Sequence, residues 1–369
     1  MFNKYTKGQI TAIQFYIVII SIMIGTGILN LATQVTKISM QDAWISVLIA
    51  GILVCIFTYL SIFIASHFDE MTFFQYFSYL LSKPVTYVIS ILYFIYSLVV
   101  TSAVLRSLAD MISTWFLPRT PLWVIILIAI LTAVNLTKDG ITIVARFSQI
   151  LFYTLFPMLP LILVSINKLS LLNVMPVGGT GFATIAEGAL PSVFTYAGYE
   201  IVLFIYPLIA NKNKNIVKTS VLCVFMVTLI YTLTVFTQIA LFGYQELQTI
   251  LYPTINYLDV VDFLIIERIE VFFSIFWIYT VIATIIIQFF VGTYVLQKTF
   301  STSSNGIFVY IFSPVVFFLS LYPKNAMMLG SIKEYIGYAN LFFGIALPLI
   351  LLLMFLVRGR KVKIDEKKK

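Results

Sequence analysis

Two short stretches hold the residues best suited to meet a small molecule. The first reads Ser21-Ile22-Met23-Ile24-Gly25-Thr26-Gly27-Ile28-Leu29. The second reads Pro191-Ser192-Val193-Phe194-Thr195-Tyr196-Ala197-Gly198-Tyr199-Glu200-Ile201. Each sets glycine beside hydroxyl-bearing residues inside an apolar run. Glycine weakens a helix by about 1 kcal/mol relative to alanine and lets backbone come close to a ligand. A helix that breaks at Gly25, Thr26 and Gly27 exposes amide N–H groups, and the half-helix after the break points its positive end into the gap. That end suits a carboxylate. The other use of such a stretch is a small-residue surface for a neighbouring helix. In the second stretch Ala197, Gly198 and Tyr199 form the matching break, and Glu200 adds an ionisable group. Ionisable residues inside apolar spans face a cavity or a partner. Glu200 can orient a ligand amine, relay a proton, fix unwound backbone, or pair with a basic residue to hold helices together.

Other candidates surround these two. Tyr93, Tyr96 and Val100 share one face of a helix by the 3.6-residue period, so a tyrosine hydroxyl there can close a pocket or simply pack. Thr280 and Thr284 also share a face, with Gln288 one turn on. Threonines in such helices often bond back to their own backbone. Arg106 and Asp110 are spaced for an i,i+4 pair. Arg146 can sit at the membrane surface by snorkelling or reach Glu200.

The elements that must position these residues are set by composition. Of 369 residues, 61% are hydrophobic and only 10% charged, with mean hydropathy +1.03. A soluble domain carries about a quarter charged residues, so this chain reads as an all-α polytopic membrane protein. A span needs about 20 apolar residues. Ten runs are expected to cross: Thr11–Thr33, Trp44–Ser66, Val85–Leu105, Leu122–Leu136, Phe147–Ile166, Ala189–Ile209, Val217–Phe242, Val271–Leu296, Ile307–Leu321 and Ile336–Val357. The first is too long for a cleavable leader and is expected to stay as a span. Most of the 23 Lys and Arg then fall on the side of the termini, which places both termini in the cytoplasm. The two glycine stretches lie in spans one and six. Five spans per half is an odd number, so the second half inserts upside down relative to the first, and matching interrupted helices point to a midplane site.

The chain is thus expected to form one transmembrane domain over 1–357, with halves at about 10–166 and 185–357. Residues 244–268 would form a lid-like extracellular loop, since a loop this long in a compact bundle is usually functional. Residues 358–369 would form a charged, disordered cytoplasmic tail. Cys55 and Cys223 lie in apolar runs and His67 is the one histidine, so neither a disulfide framework nor a metal site is expected. No nucleotide-binding or catalytic motif stands out. The expectation is a non-enzyme with no cofactor and no nucleic-acid partner. An ion- or water-conducting subunit that binds no organic ligand is a further alternative.

The Gly25-Thr26-Gly27-Ile28 break resembles that of the amino acid–polyamine–organocation (APC) superfamily. Along the chain, Arg106-Ser107-Leu108-Ala109-Asp110, Leu117-Pro118-Arg119-Thr120-Pro121, Ala145-Arg146-Phe147, Gly198-Tyr199-Glu200, Tyr252-Pro253-Thr254 and Glu267-Arg268-Ile269-Glu270 follow in an order similar to the B subunits of spore germinant receptors, the GerAB/GerKB type. The resemblance implies a LeuT-like 5+5 inverted repeat with spans one and six interrupted, in the inner spore membrane. It implies a subunit that binds a small germinant, often an amino acid, and assembles with a larger A-type membrane subunit and a C-type lipoprotein. A ligand would meet Gly25, Thr26 and Gly27 on one side and Ala197, Gly198, Tyr199 and Glu200 on the other. Spans three and eight would add Tyr96, Val100, Thr280 and Thr284. An APC permease working by alternating access shares the same fold and is the alternative function.

Overall fold

The computed structural model of the protein describes residues 8–157, 159–163, 165–260 and 269–366, without the side chains of 359–366. The described chain is helical, and its one pair of bridged extended residues is Ile10 with Ile209. The α-helices are α1 (Ala12–Met23), α2 (Leu31–Ser39), α3 (Ala43–Ser66), α4 (Phe73–Leu81), α5 (Lys83–Trp115), α6 (Leu122–Thr137), α7 (Ile141–Phe152), α8 (Phe182–Thr195), α9 (Val202–Ile205), α10 (Ile216–Leu247), α11 (Pro253–Asp259), α12 (Ile269–Thr299), α13 (Gly306–Leu321), α14 (Ala326–Leu341) and α15 (Leu347–Glu366).

Six helical stretches are long and apolar enough to cross a membrane, and a seventh arises if α8 and Tyr199–Leu208, bent by 60°, count as one span. α1, α6 and α13 are shorter apolar helices. The chain is an integral membrane protein. Each of the ten apolar runs read from the sequence falls on helical segments. One long stretch, Leu31–Ser66, divides at Met40, whose φ of 49° and ψ of −126° leave the helix, so α2 and α3 are distinct. The charged tail, expected to be disordered, instead prolongs α15 to Glu366.

Local sequence explains where several elements start. Thr11 and Gln14 form a reciprocal capping box that begins α1, and Thr72 and Gln75 do the same for α4. Each box satisfies backbone N–H groups that a helix start leaves open. Pro84 lies in the first turn of α5, where a missing N–H does no harm. α10 is kinked at Gly243, whose φ is +74°.

Packing brings α3 against α8 and α10, and α5 against α12. Water-driven burial does not hold helices together in lipid, so close backbone approach matters more. A Cβ on Gly51 would fall 2.1 Å from Thr228 Cγ2, and one on Gly292 would fall 2.3 Å from Ser97 Oγ. These two glycines therefore set the α3–α10 and α5–α12 spacing.

One end of the bundle is strapped shut. Ile10 N–H donates to Leu208 O (3.0 Å), and Ala210 N–H donates to Ile10 O (2.9 Å). Thr142 Oγ donates to Gln9 O (3.1 Å). Lys212 pairs with Asp69 at 3.2 Å, and Arg358 Nη1 donates to Leu80 O at 2.8 Å.

Candidate functional site: a cavity between two broken helices

Span one breaks where its glycines stand. α1 ends at Met23, Ile24 leaves the helix with ψ of 76°, and Gly25 takes φ −115°, ψ −136°. A 3-10 turn then runs over Thr26–Leu29 before α2 begins. Unwinding frees carbonyls that lipid cannot satisfy, and the bundle supplies a donor for each of four. Thr284 Oγ donates to Ser21 O (3.1 Å) and Tyr231 Oη to Met23 O (2.7 Å). Trp277 Nε1 donates to Gly25 O (3.3 Å) and Thr254 Oγ to Ile28 O (2.7 Å). The amides of Thr26 and Gly27 stand in the first turn of the new helical segment, where no intrahelical acceptor exists.

Span six breaks opposite. α8 ends at Thr195, and Gly198 adopts φ +115°, ψ −22°, a left-handed conformation that favours glycine. Glu200 folds back on this turn. Its Oε2 accepts from Gly198 N–H (2.7 Å) and Asn340 Nδ2 (3.0 Å), and its Oε1 accepts from Tyr96 Oη (3.0 Å). The carboxylate is fully buried. Arg146 is exposed and takes no part.

Between the breaks lies a cavity of about 630 Å³. Gly25, Thr26 and Gly27 line it from span one, and Thr195 and Ala197 from span six. Val100 of α5 and Thr284 of α12 complete the wall at this depth. Toward the end away from the strap, the lining adds Lys37 of α2, Glu187 of α8, and Lys333 and Glu334 of α14. The helical breaks come very close: a Cβ on Gly27 would fall 2.4 Å from Thr195 Cγ2, and one on Gly25 would fall 3.2 Å from Thr284 Oγ1.

The sequence-derived residues thus divide. Gly25, Thr26, Gly27, Val100, Ala197 and Thr284 line the cavity. Tyr96, Gly198, Tyr199, Glu200 and Thr280 stand behind its wall. Thr280 bonds back to Trp277 O (2.8 Å). Tyr199 is fully buried, with its hydroxyl against Gly344 in the π-helical turn Phe342–Ala346. Arg106 and Asp110 pair at 2.8 Å, as their spacing predicts. Part of the expected lid, 261–268, lies outside the described residues. Of the described part, residues 244–247 instead end α10, and Pro253–Asp259 form α11, which docks on α10, α12 and the Thr26–Leu29 turn; none of these residues lines this cavity. Among the described residues no cluster of His, Cys, Asp and Glu could hold a metal.

The sequence does not single out Trp277, Tyr231 or Asn340, and it offers Thr254 only within the Tyr252-Pro253-Thr254 stretch of the resemblance. Their only signal is a polar tip on a residue inside an apolar run, which many residues here share. Trp277 is fully buried, and Trp277→Phe removes its N–H donor together with part of the ring volume. Leaving Gly25 O bare in a dry interior costs about 1–2 kcal/mol, so the ligand concentration for half-response should rise about tenfold at unchanged protein level. A native dose–response in this variant would remove Trp277 from the role.

The profile of a family described as spore germination protein matches residues 9–329. The chain belongs to the spore germination protein family. Three relatives cover nearly its whole length. Spore germination protein YndE of Bacillus subtilis (strain 168) is 28% identical over 98% of this chain and 100% of its own. Spore germination protein A2 of the same organism is 29% identical over 98% of this chain and 99% of its own. Spore germination protein GerLB of Bacillus cereus is 25% identical over 97% of each chain. Among solved structures, the fold is similar to that of Mhp1, a nucleobase-cation-symport-1 family transporter, solved in a closed conformation with bromovinylhydantoin bound. The TM-score is 0.57, with 16% identity, covering 97% of this chain and 80% of that one. The spore germination protein family therefore uses, in this member, the fold of a membrane transporter.

Proposed function

We propose that this chain is the ligand-sensing B-type subunit of a spore germinant receptor, and that a small amino acid-like germinant binds in the cavity between the two breaks. The observation that carries this reading is the pairing of opposite helix ends across one void. The turn beginning at Thr26 offers open N–H groups and a positive end. The last turn of α8, at Phe194 and Thr195, offers carbonyls and a negative end, and both line the cavity. An α-carboxylate and an α-ammonium held a few ångströms apart complement that arrangement, and Val100 and Ala197 leave an apolar wall for a side chain.

In this reading the helices form ten spans in two inverted halves, α1 to α7 and α8 to α15. The strapped end carries Lys212 and Arg358 and lies on the cytoplasmic, core side with both termini, in keeping with the positive-inside bias. The cavity opens outward past Lys37 and Lys333. Ligand shifts the bundle between two arrangements by the difference in its affinity for them. A larger A-type membrane subunit and a C-type lipoprotein receive that change.

Thermal-shift measurements on the purified receptor complex against amino acids, sugars and nucleobases test this. Zwitterionic amino acids should stabilise it, and Val100→Phe should abolish stabilisation by the larger ones first. Stabilisation by nucleobases alone would overturn the amino-acid assignment. Concentrative amino-acid uptake into vesicles containing only this chain would favour a permease instead.

A further inference from the structure

Behind the cavity wall stands a group of polar atoms that the ligand site does not use. Glu200 is 0% exposed, and no Lys, Arg or His nitrogen lies within ion-pair distance of it among the described residues. Around it, Tyr199 Oη and Asn340 Oδ1 are buried without a hydrogen-bond partner, while the Tyr93 hydroxyl faces the Gln288 amide. A buried carboxylate with no counter-cation is expensive in a membrane interior. Unpaired buried polar atoms ask for an explanation.

The titratable groups that face Glu200 are three phenols, Tyr93 and Tyr96 from α5 and Tyr199 beside it. α14 presents the amide of Asn340, and the Gln288 amide of α12 meets Tyr93. The oxygens of Glu200 already meet four donors: Gly198 N–H, its own backbone N–H, Tyr96 Oη and Asn340 Nδ2. That crowding leaves the smallest cation as the occupant. We infer that Glu200, with Tyr96 and Asn340, is a proton-binding site that links the ligand cavity to pH.

The hydrogen-bond pattern admits both states. Ionised, Glu200 accepts from Asn340 Nδ2 at 3.0 Å, and that same nitrogen lies 3.3 Å from Tyr96 Oη. Protonation adds one hydrogen to a Glu200 oxygen and removes one negative charge. The Asn340 amide then turns over, and its oxygen, which has no partner in the ionised state, accepts that hydrogen. An amide side chain has one donor end and one acceptor end, so the turn serves either state. The difference reaches the ligand site through Gly198. An ionised carboxylate is the stronger acceptor, so it holds the left-handed turn of the span-six break more firmly. The ligand prefers the firmly held break. Affinity therefore rises with pH through the titration of Glu200, by up to about tenfold per pH unit, and ligand binding releases a proton. The linkage to ligand rests on the cavity reading above, whereas the proton site itself does not.

Two measurements on the full receptor complex test this. Infrared difference spectra without ligand should show a protonated-carboxyl band that shrinks as pH rises and is missing from Glu200→Gln. A band that is absent, keeps its full height across the pH range, or survives in the variant overturns the proton site. If Glu200→Gln fails to accumulate, Tyr96→Phe should move the midpoint of the band, and an unmoved midpoint is equally fatal. Calorimetry with a mixture of neutral L-amino acids, in two buffers of different ionisation heat, should show proton release that Glu200→Gln abolishes. Its affinity should then stay at the low-pH value of the native protein. Binding without proton release overturns the linkage. A titrating band in a complex that binds no amino acid sinks the ligand reading and leaves the proton site standing.

Discussion

A chain with Gly27→Val should still insert yet fail to respond to ligand, with the half-response concentration, at matched protein level, raised at least about 100-fold, or about 2.8 kcal/mol. A Cβ at this position already falls 2.4 Å from Thr195 Cγ2 and 3.3 Å from Thr195 O. The second contact is backbone and cannot swing aside. Overpacking of this kind costs about 1–3 kcal/mol, and here it acts where two half-helices must meet. The added methyls also project beside the Thr26 and Gly27 amides on the cavity wall. A paired substitution isolates the cause. Gly27→Ala alone should impair the response, and adding Thr195→Ser, which deletes the clashing methyl, should restore much of it. Normal ligand-triggered germination in Gly27→Val would refute the span-one site.

Gly198→Ala should lower the protein level several-fold as well as the response. Its φ of +115° strains any residue with a Cβ by about 1–3 kcal/mol. The new methyl would also fall 2.8 Å from Ile22 Cγ1. Losses of 1–2 kcal/mol are enough to change abundance several-fold in cells. Adding Ile22→Ala removes the contact but not the strain, so it should recover only part of the level. Full recovery would show that backbone conformation is not what selects glycine here. A native level and response in Gly198→Ala would overturn the left-handed break itself.

The long apolar helices and both breaks are legible because bilayer physics acts locally. Twenty apolar residues in a row, or two glycines around a threonine, carry their meaning without knowledge of the rest of the chain. The partners of the break were not legible, because they come from afar. Tyr231 reaches Met23 across 208 residues and Trp277 reaches Gly25 across 252. Periodicity placed Tyr93, Tyr96 and Val100 on one face of α5, but not what lay opposite. Val100 meets the cavity, whereas Tyr93 and Tyr96 pack on Phe343 at 5.1 Å each. By composition the last span begins at Ile336. Lys333 and Glu334 read as loop, yet α14 starts at Ala326 and brings both to the cavity mouth. Glu200 was open to several roles in the sequence. The structure gives it the backbone of Gly198, a role that depends on a turn whose shape no residue type announces.

The strap at Ile10 bears on how the protein is made. Its partners, Leu208 and Ala210, leave the ribosome only after the sixth span, so the amino-terminal residues must wait through most of translation with their hydrogen bonds open. Domains of a chain generally fold as units during synthesis, but here the first half cannot finish before the second arrives. Cutting the connector between the halves should therefore yield fragments that mature only when both are produced together.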